Sequence, residues 1–268
     1  MTYPDGLLRK YLKKFNGGNN MIEETQQEAK WKKRTELPVY KQLTQFQFDP
    51  KLLVEAYKEY TSNKVWDGLG NEYSNMCETY TKLPSMFFKE DELKDVTCIT
   101  QLDFTKTSYK QISLVEFDEN FDLDQRTEKS GTRWDNTIAK GNKKADERFF
   151  RKRHADVPEY FQYVLDTIGK DIVHRTRFAN LAPKSQVKPH IDYNTEYGVR
   201  LHVPIITNDG CTFGGIDPVT GETHERHFPA DGSVWFINPG VKHWATNDGE
   251  EERVHLIVSV DSQDILNV

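Results

Sequence analysis

Two segments before residue 171 carry apolar residues at helical spacing. Residues 7–15 and 158–168 each place apolar side chains three or four positions apart, which predicts amphipathic helices. The later helix is expected to stop at Gly169, because glycine commonly follows a helix end. Another helix is expected to start at Asp49-Pro50, because aspartate caps helices and proline fits their first turn.

From Asp171 onward the pattern changes to short apolar runs bounded by Pro, Gly, Asn or Asp. Turn dipeptides such as Asp209-Gly210 separate the runs. The runs lie at residues 172–181, 199–206, 211–213, 233–237 and 254–260. Short strands with regular turns predict an antiparallel barrel or a double-sheet jelly roll. The expected fold class is therefore a mostly β core with flanking helices (α+β).

These patterns predict three regions along the chain. Residues 1–45 are polar and charge-rich, which favours an accessory helical arm. Residues 46–170 are expected to form a mixed α/β region that packs on the core. Within that region, residues 120–147 have few apolar anchors and form a candidate lid. Residues 171–262 are expected to be the β core that carries the chemistry.

The composition narrows the function class. The 268 residues include 36 Lys and Arg against 42 Asp and Glu, and this net charge of −6 argues against a dedicated nucleic-acid binder. No apolar run reaches the ~18–20 residues of a membrane span, and no signal-peptide pattern opens the sequence. The three cysteines, at 77, 98 and 211, are widely spaced, which is typical of free thiols in a reducing compartment. A soluble, cytoplasmic protein is expected.

A histidine–carboxylate pattern in the second half carries candidate chemistry. In a strand, His190 and Asp192 point to the same side, so both can bind one metal. His243 follows 51 positions later, just after the turn at Asn238-Pro239-Gly240. A jelly roll places strands that far apart in sequence side by side. Two histidines and one carboxylate on one face of a metal form the facial triad of non-haem Fe(II) oxygenases.

Further residues near these ligands support an anionic cosubstrate. Arg253 lies ten positions after His243 in a predicted core strand, where a buried guanidinium needs an anion such as a dicarboxylate. Arg200 and His202 share one strand face. Asn247 can either order the loop after His243 or hydrogen-bond the cosubstrate.

Two other histidine patterns are weaker. His224 and His227 are three apart, whereas the H-E-x-x-H zinc motif needs a spacing of four on a helix, so surface positions are expected. His255 is two positions after Arg253 and is expected to share its strand face. A supporting role beside Arg253 is therefore open for His255.

Residues 171–262 resemble the aspartyl/asparaginyl β-hydroxylase-like branch of the Fe(II)- and 2-oxoglutarate-dependent dioxygenases. The stretches that carry the resemblance are residues 177–183, 187–192, 200–208 and 243–253. The resemblance implies a double-stranded β-helix, which is a cupin-like jelly roll. It also implies three cofactors and cosubstrates, namely Fe(II), 2-oxoglutarate and dioxygen.

The resemblance further implies roles for individual residues. His190, Asp192 and His243 would ligate the iron, and Arg253 would hold the distal carboxylate of 2-oxoglutarate. His202 would help to bind the cosubstrate, and Arg200 would hold cosubstrate or a substrate carboxylate.

Two positions depart from the family pattern: Pro183-Lys184 replaces the usual Pro-Gly turn, and the other departure concerns a cosubstrate contact. A family member carries a cosubstrate-binding serine on the strand before the first ligand, and here Ala179 takes that place. Asn180 or Arg177 is expected to substitute for that contact. Arg177 and Arg200 are also the candidate anchors for a substrate carboxylate.

The expected function is hydroxylation of an unactivated C–H bond in an amino acid or a peptidyl side chain, with a small molecule or peptide as substrate. Two alternatives stay open. A non-catalytic cupin-like metal-binding module would have no use for Arg253. A jelly-roll interaction protein would have no use for His190, Asp192 and His243 converging.

Overall fold

The structure is a computed structural model, and it describes residues 31–62, 109–121, 147–192, 195 and 198–267. The helix expected over residues 7–15 lies outside the described residues, as do Cys77 and Cys98. The candidate lid at 120–147 also lies outside them, apart from its first two residues and its last.

Two α-helices occur in the described part of the chain, α1 at Pro50–Thr61 and α2 at Glu159–Gly169. The Asp49 carboxylate accepts a hydrogen bond from the Lys51 amide at 2.8 Å, so the predicted helix start is confirmed. Single 3-10 turns lie at Arg34–Glu36, Glu147–Phe149 and Asp264–Leu266. Neither described helix has the length or apolar character needed to cross a bilayer.

Twelve strands occur in the same described residues. The first four are β1 (Tyr40–Gln47), β2 (Tyr109–Ser113), β3 (Val115–Phe117) and β4 (Phe150–Arg153). The next four are β5 (Val173–Leu181), β6 (Ser185–His190), β7 (Val199–Ile206) and β8 (Cys211–Ile216). The last four are β9 (Thr223–Arg226), β10 (Ser233–Ile237), β11 (His243–Asn247) and β12 (Arg253–Val260).

The strands build two main antiparallel sheets. The larger sheet has the order β1-β10-β7-β12-β5-β2, and the smaller has the order β6-β11-β8-β9. The chain crosses repeatedly between these sheets from β5 to β12, so strands distant in sequence become neighbours. This arrangement is a double-stranded β-helix, and the predicted fold class is confirmed. Strands β3 and β4 form a separate two-stranded ribbon.

Strand β5 is buried along its whole length because both of its faces are covered. On one face, the Phe178 ring contacts the Tyr57 ring of α1 and the Phe161 ring of α2, each at a centroid distance of 5.0 Å. On the other face, Arg177 and Ala179 line a cleft. Since strand side chains alternate, one strand supplies both the helix-packed core and the polar wall.

Replacing Phe178 with alanine should strongly destabilise the protein. Phe178 is fully buried between the larger sheet and both helices, so the cavity should lower the free energy of unfolding by about 3–5 kcal/mol. Urea unfolding of the full chain measures this loss. The control Val219→Ala, at a residue that is 71% exposed, should change the free energy by less than about 0.5 kcal/mol. Equal effects of the two variants would contradict this account of the core.

Candidate active site

Antiparallel pairing of β6 with β11 brings the two candidate histidines together. His190 stands directly opposite His243 in the register, and their ring centroids are 4.4 Å apart. Asp192 follows β6, and its backbone N–H donates to the Pro239 carbonyl at 2.9 Å. The candidate ligand atoms of His190, Asp192 and His243 all lie within 4.8 Å of one another, and all three residues are buried. The structure therefore brings the sequence-predicted triad into one cluster.

Both imidazoles present the same nitrogen to the cluster. The Nδ1 atom of His190 is 2.7 Å from the Lys188 carbonyl, and that of His243 is 2.9 Å from the Val241 carbonyl. A carbonyl only accepts, so each Nδ1 carries the proton and each Nε2 keeps its lone pair. The Nε2 atoms lie 3.3 Å and 3.7 Å from the Asp192 carboxylate oxygens.

Burial keeps these histidines neutral. Desolvation lowers the pKa of His190 to about 4 and that of His243 well below its ordinary value. Neutral imidazole is the form that ligates a metal, and the Asp192 carboxylate would offset one of the two charges of a divalent cation. Two imidazole nitrogens and one carboxylate on one side of a buried site fit a divalent transition metal such as Fe(II).

The cluster opens into a cleft between the two sheets, with a volume of about 600 Å³ including its mouth. Its walls carry every candidate site residue except Asn180 and Asn247. The lining residues are Tyr109, Gln111, Arg177, Ala179, Val187, His190, Asp192, Arg200, His202, Phe213, His243, Trp244, Ala245, Arg253 and Ile257.

Arg253 is a buried cation in the wall of this cleft. Its side chain is 5% exposed, and its Nη2 atom donates to His255 Nδ1 at 3.0 Å. Among the residues that the structure describes, none offers this guanidinium a carboxylate at ion-pair distance. Burial lowers the pKa of Arg253 to about 10, so the group stays charged at neutral pH. A buried charge of this kind favours binding of an anion.

The sequence predicts that Arg200 binds an anion of the cosubstrate or substrate, but in the structure its guanidinium already contacts carboxylates of the protein. Its guanidinium pairs with the Asp192 carboxylate, and its Nη2 atom lies 3.9 Å from the buried carboxylate of Glu147. Arg200 therefore contacts the triad directly and orients Asp192. His202 lies on the same strand, β7, and faces the same cleft.

Asn180 does not line the cleft. It follows Ala179 on β5, so its side chain points to the opposite face, where its amide donates to the Glu252 carboxylate. Asn180 therefore does not substitute for the polar contact that Ala179 lacks. Arg177, two positions before Ala179, does face the cleft.

Asn247 is fully buried away from the cleft. Its Nδ2 atom donates to the carbonyls of Leu181, Ala182 and Glu251 at 3.1, 3.1 and 2.8 Å. Its Oδ1 atom accepts from the Gly249 amide at 3.2 Å. Of the two roles that the sequence left open, the structure supports ordering of the loop and not cosubstrate contact.

Sequence reasoning missed part of the cleft wall. Strand β2 pairs with β5 and sets Gln111 opposite Ala179, with Tyr109 two positions earlier on the same face. Gln111 Nε2 donates to the Tyr109 hydroxyl at 3.1 Å, while its buried Oε1 has no hydrogen-bond partner among the described residues. The alternation of polar residues on this short strand was the available signal, but nothing in the sequence paired it with β5.

Comparison with known proteins gives one family match. A family model described as aspartyl/asparaginyl beta-hydroxylase matches residues 104–263. No curated protein sequence matches the chain.

Similar solved structures include a 2OG-Fe(II) oxygenase family oxidoreductase from Burkholderia pseudomallei, with 14% identity and a TM-score of 0.33, over 58% of this chain and 69% of that one. Another is an oxalate oxidase in complex with glycolate, with 20% identity and a TM-score of 0.28, over 35% of this chain and 44% of that one. A third is a mutant of Bacillus subtilis oxalate decarboxylase OxdC, with 12% identity and a TM-score of 0.27, over 34% of this chain and 22% of that one.

Replacing Asn247 with alanine should reduce stability without affecting cosubstrate binding. The change removes the donor to the Leu181 and Ala182 carbonyls, while the Glu251 carbonyl keeps the Asn208 amide, and this should lower the free energy of unfolding by about 2–4 kcal/mol. Urea unfolding and the KM for 2-oxoglutarate of the folded variant are the measurements. The exposed control Asn120→Ala should change neither quantity. A raised KM for Asn247→Ala with unchanged stability would return Asn247 to the cosubstrate site.

Proposed function

Because the family model covers more than half of the chain, this protein belongs to the aspartyl/asparaginyl β-hydroxylase family, and we propose that it is an Fe(II)- and 2-oxoglutarate-dependent dioxygenase. Its reaction is hydroxylation of an unactivated C–H bond in an amino acid or a peptidyl side chain. One observation carries the proposal: a buried guanidinium, Arg253, faces the same cleft as the triad of His190, Asp192 and His243.

The three triad residues are proposed to hold Fe(II). His190 and His243 offer neutral Nε2 atoms, and Asp192 offers its carboxylate. When bound, Fe(II) together with 2-oxoglutarate supplies the activation of dioxygen that C–H hydroxylation requires. Backbone carbonyls hold both imidazoles, and Arg200 holds the carboxylate, so the protein positions the ligands before the metal arrives.

Arg253 is proposed to bind the distal carboxylate of 2-oxoglutarate, with His202 beside it. A planar guanidinium can meet a carboxylate through two parallel hydrogen bonds. Burial in the cleft makes such an ion pair stronger than in water. A dicarboxylate held by Arg253 would lie in the same cleft as the triad, with its other end free to reach the proposed metal site.

The substrate is proposed to bring both an anionic group and a hydrogen-bond donor. Three guanidinium groups line the cleft, those of Arg177, Arg200 and Arg253, against the single carboxylate of Asp192. Arg200 is engaged by Asp192 and Glu147, and Arg177 is proposed as the anchor for a substrate carboxylate because its guanidinium lies in the wall of the same cleft. The dianion of 2-oxoglutarate has no N–H or O–H donor, so the buried Oε1 of Gln111 favours a donor on the substrate.

The full chain should convert 2-oxoglutarate to succinate when it is loaded with Fe(II) in air, faster with its amino-acid or peptide substrate than without. Succinate and bound iron are measured across the twenty amino acids and a set of peptides. Asp192→Ala should lose iron and succinate formation, because two neutral imidazoles hold the metal less well than the complete triad. The exposed control Asp209→Ala should keep both. Tight iron binding without any consumption of 2-oxoglutarate would instead indicate a non-catalytic metal-binding module.

Arg253→Met should raise the KM for 2-oxoglutarate while leaving bound iron unchanged. Loss of a buried charged pair costs about 2–5 kcal/mol, which corresponds to a rise in KM of at least about 30-fold. Steady-state kinetics with varied 2-oxoglutarate give the KM. The control Arg226→Met removes an exposed guanidinium on β9 and should leave the KM as it is. An unchanged KM in Arg253→Met would show that the distal carboxylate binds elsewhere.

A further inference from the structure

His255 lies on the same face of β12 as Arg253 and Ile257, two residues that line the cleft. Its side chain is 1% exposed and does not line the cleft. Its Nδ1 atom is 3.0 Å from Arg253 Nη2 and 3.2 Å from His202 Nδ1. A single buried nitrogen therefore contacts both of the side chains proposed to meet the cosubstrate.

The directions of these two hydrogen bonds follow from the donors present. A guanidinium only donates, so His255 Nδ1 accepts from Arg253, and the His255 proton lies on Nε2. Because that Nδ1 carries no proton, the hydrogen in the contact with His202 comes from His202 Nδ1. Arg253 and His202 thus share the one lone pair of His255 Nδ1 in a three-centre hydrogen bond.

Packing alone does not explain a histidine at position 255. Its Nε2 atom is buried with no hydrogen-bond partner among the described residues, and such an unpaired group costs stability. Burial and the neighbouring Arg253 lower its pKa well below the ordinary value, so the ring is neutral and its Nδ1 lone pair is available. An apolar side chain would fill this position opposite Ala179 without the cost of an unpaired Nε2.

We propose that His255 is a positioning residue for the cosubstrate, whose Nδ1 acceptor holds the Arg253 guanidinium and the His202 ring in the orientation that receives a dicarboxylate. The inference rests on the proposed function, since it takes Arg253 as the group that binds 2-oxoglutarate. Holding a flexible arginine in its binding geometry before the ligand arrives reduces the entropy that binding must overcome. The role requires the acceptor atom, not the ring.

Two substitutions separate the acceptor from the packing. His255→Asn places an amide oxygen close to the position of Nδ1, while His255→Leu fills similar space with no acceptor. The probe is 2-oxoglutarate, titrated calorimetrically into protein loaded with Zn(II), which permits binding without turnover. His255→Leu should raise the Kd by about 10- to 100-fold, and His255→Asn should stay close to wild type. Zinc content should be unchanged in both, and His224→Leu, on β9, serves as the control.

The outcomes separate this inference from the proposed function. If Arg253→Met leaves the Kd unchanged in the same assay, the proposed cosubstrate site is wrong, and the role of His255 is wrong with it. If Arg253→Met weakens binding but His255→Leu does not, only the positioning role is overturned. Equal weakening by His255→Asn and His255→Leu would also overturn it, because the acceptor would then not matter.

The wild-type protein offers a test that does not depend on any variant folding. Long-range proton–nitrogen NMR correlations identify which ring nitrogen of each histidine carries the proton. We expect His255 to be protonated at Nε2 and bare at Nδ1, with His202 protonated at Nδ1. A proton on Nδ1 of His255 would overturn the proposal.

Discussion

The site depends on the antiparallel register between β6 and β11. That register sets His190 opposite His243, and only the turn after β6 is then needed to bring Asp192 to both. A slip of one residue would send the His243 side chain to the opposite face of the sheet. The register is supported from β8, where a side chain on Gly214 would collide with the Trp244 ring at 2.1 Å. Glycine at position 214 leaves room for the Trp244 ring, so β11 can pair with both β6 and β8.

The segment before β1 supports the two loops that carry the ligands. Asn238 Nδ2 donates to the Arg34 carbonyl at 3.0 Å, and Asn238 Oδ1 accepts from the Gly240 amide, which shapes the turn leading to His243. Gln263 Nε2 donates to the carbonyls of Lys32 and Thr195, and Thr195 lies just beyond Asp192. The positions of His190, Asp192 and His243 are therefore maintained in part by amide side chains and backbone carbonyls outside the triad.

Charge in the cleft is arranged to favour anions, and the surrounding burial strengthens this preference. Helices α1 and α2 cover one face of the larger sheet with apolar contacts, so its inner face is free to carry Arg177, Arg200 and Arg253. Arg253 in particular is removed from water with no carboxylate at ion-pair distance among the described residues, which penalises its charge until an anion arrives. The same apolar packing that stabilises the fold also lowers the local dielectric constant, which would strengthen an ion pair between Arg253 and the proposed carboxylate.

Local sequence determined those features that depend on spacing along one strand or one turn. The i, i+2 relation of His190 and Asp192, the helix start at Asp49 and the strand pattern after residue 171 were all readable, because strand and helix periodicity are local properties. The alternation on β5 also puts Asn180 on the face opposite Ala179, but only the packing showed which face the cleft takes. Tertiary structure alone decided that β2 joins β5 and adds Gln111 to the wall, and that Arg200 engages Asp192. It alone placed His255 between Arg253 and His202, because strand order and register join residues that no sequence spacing relates.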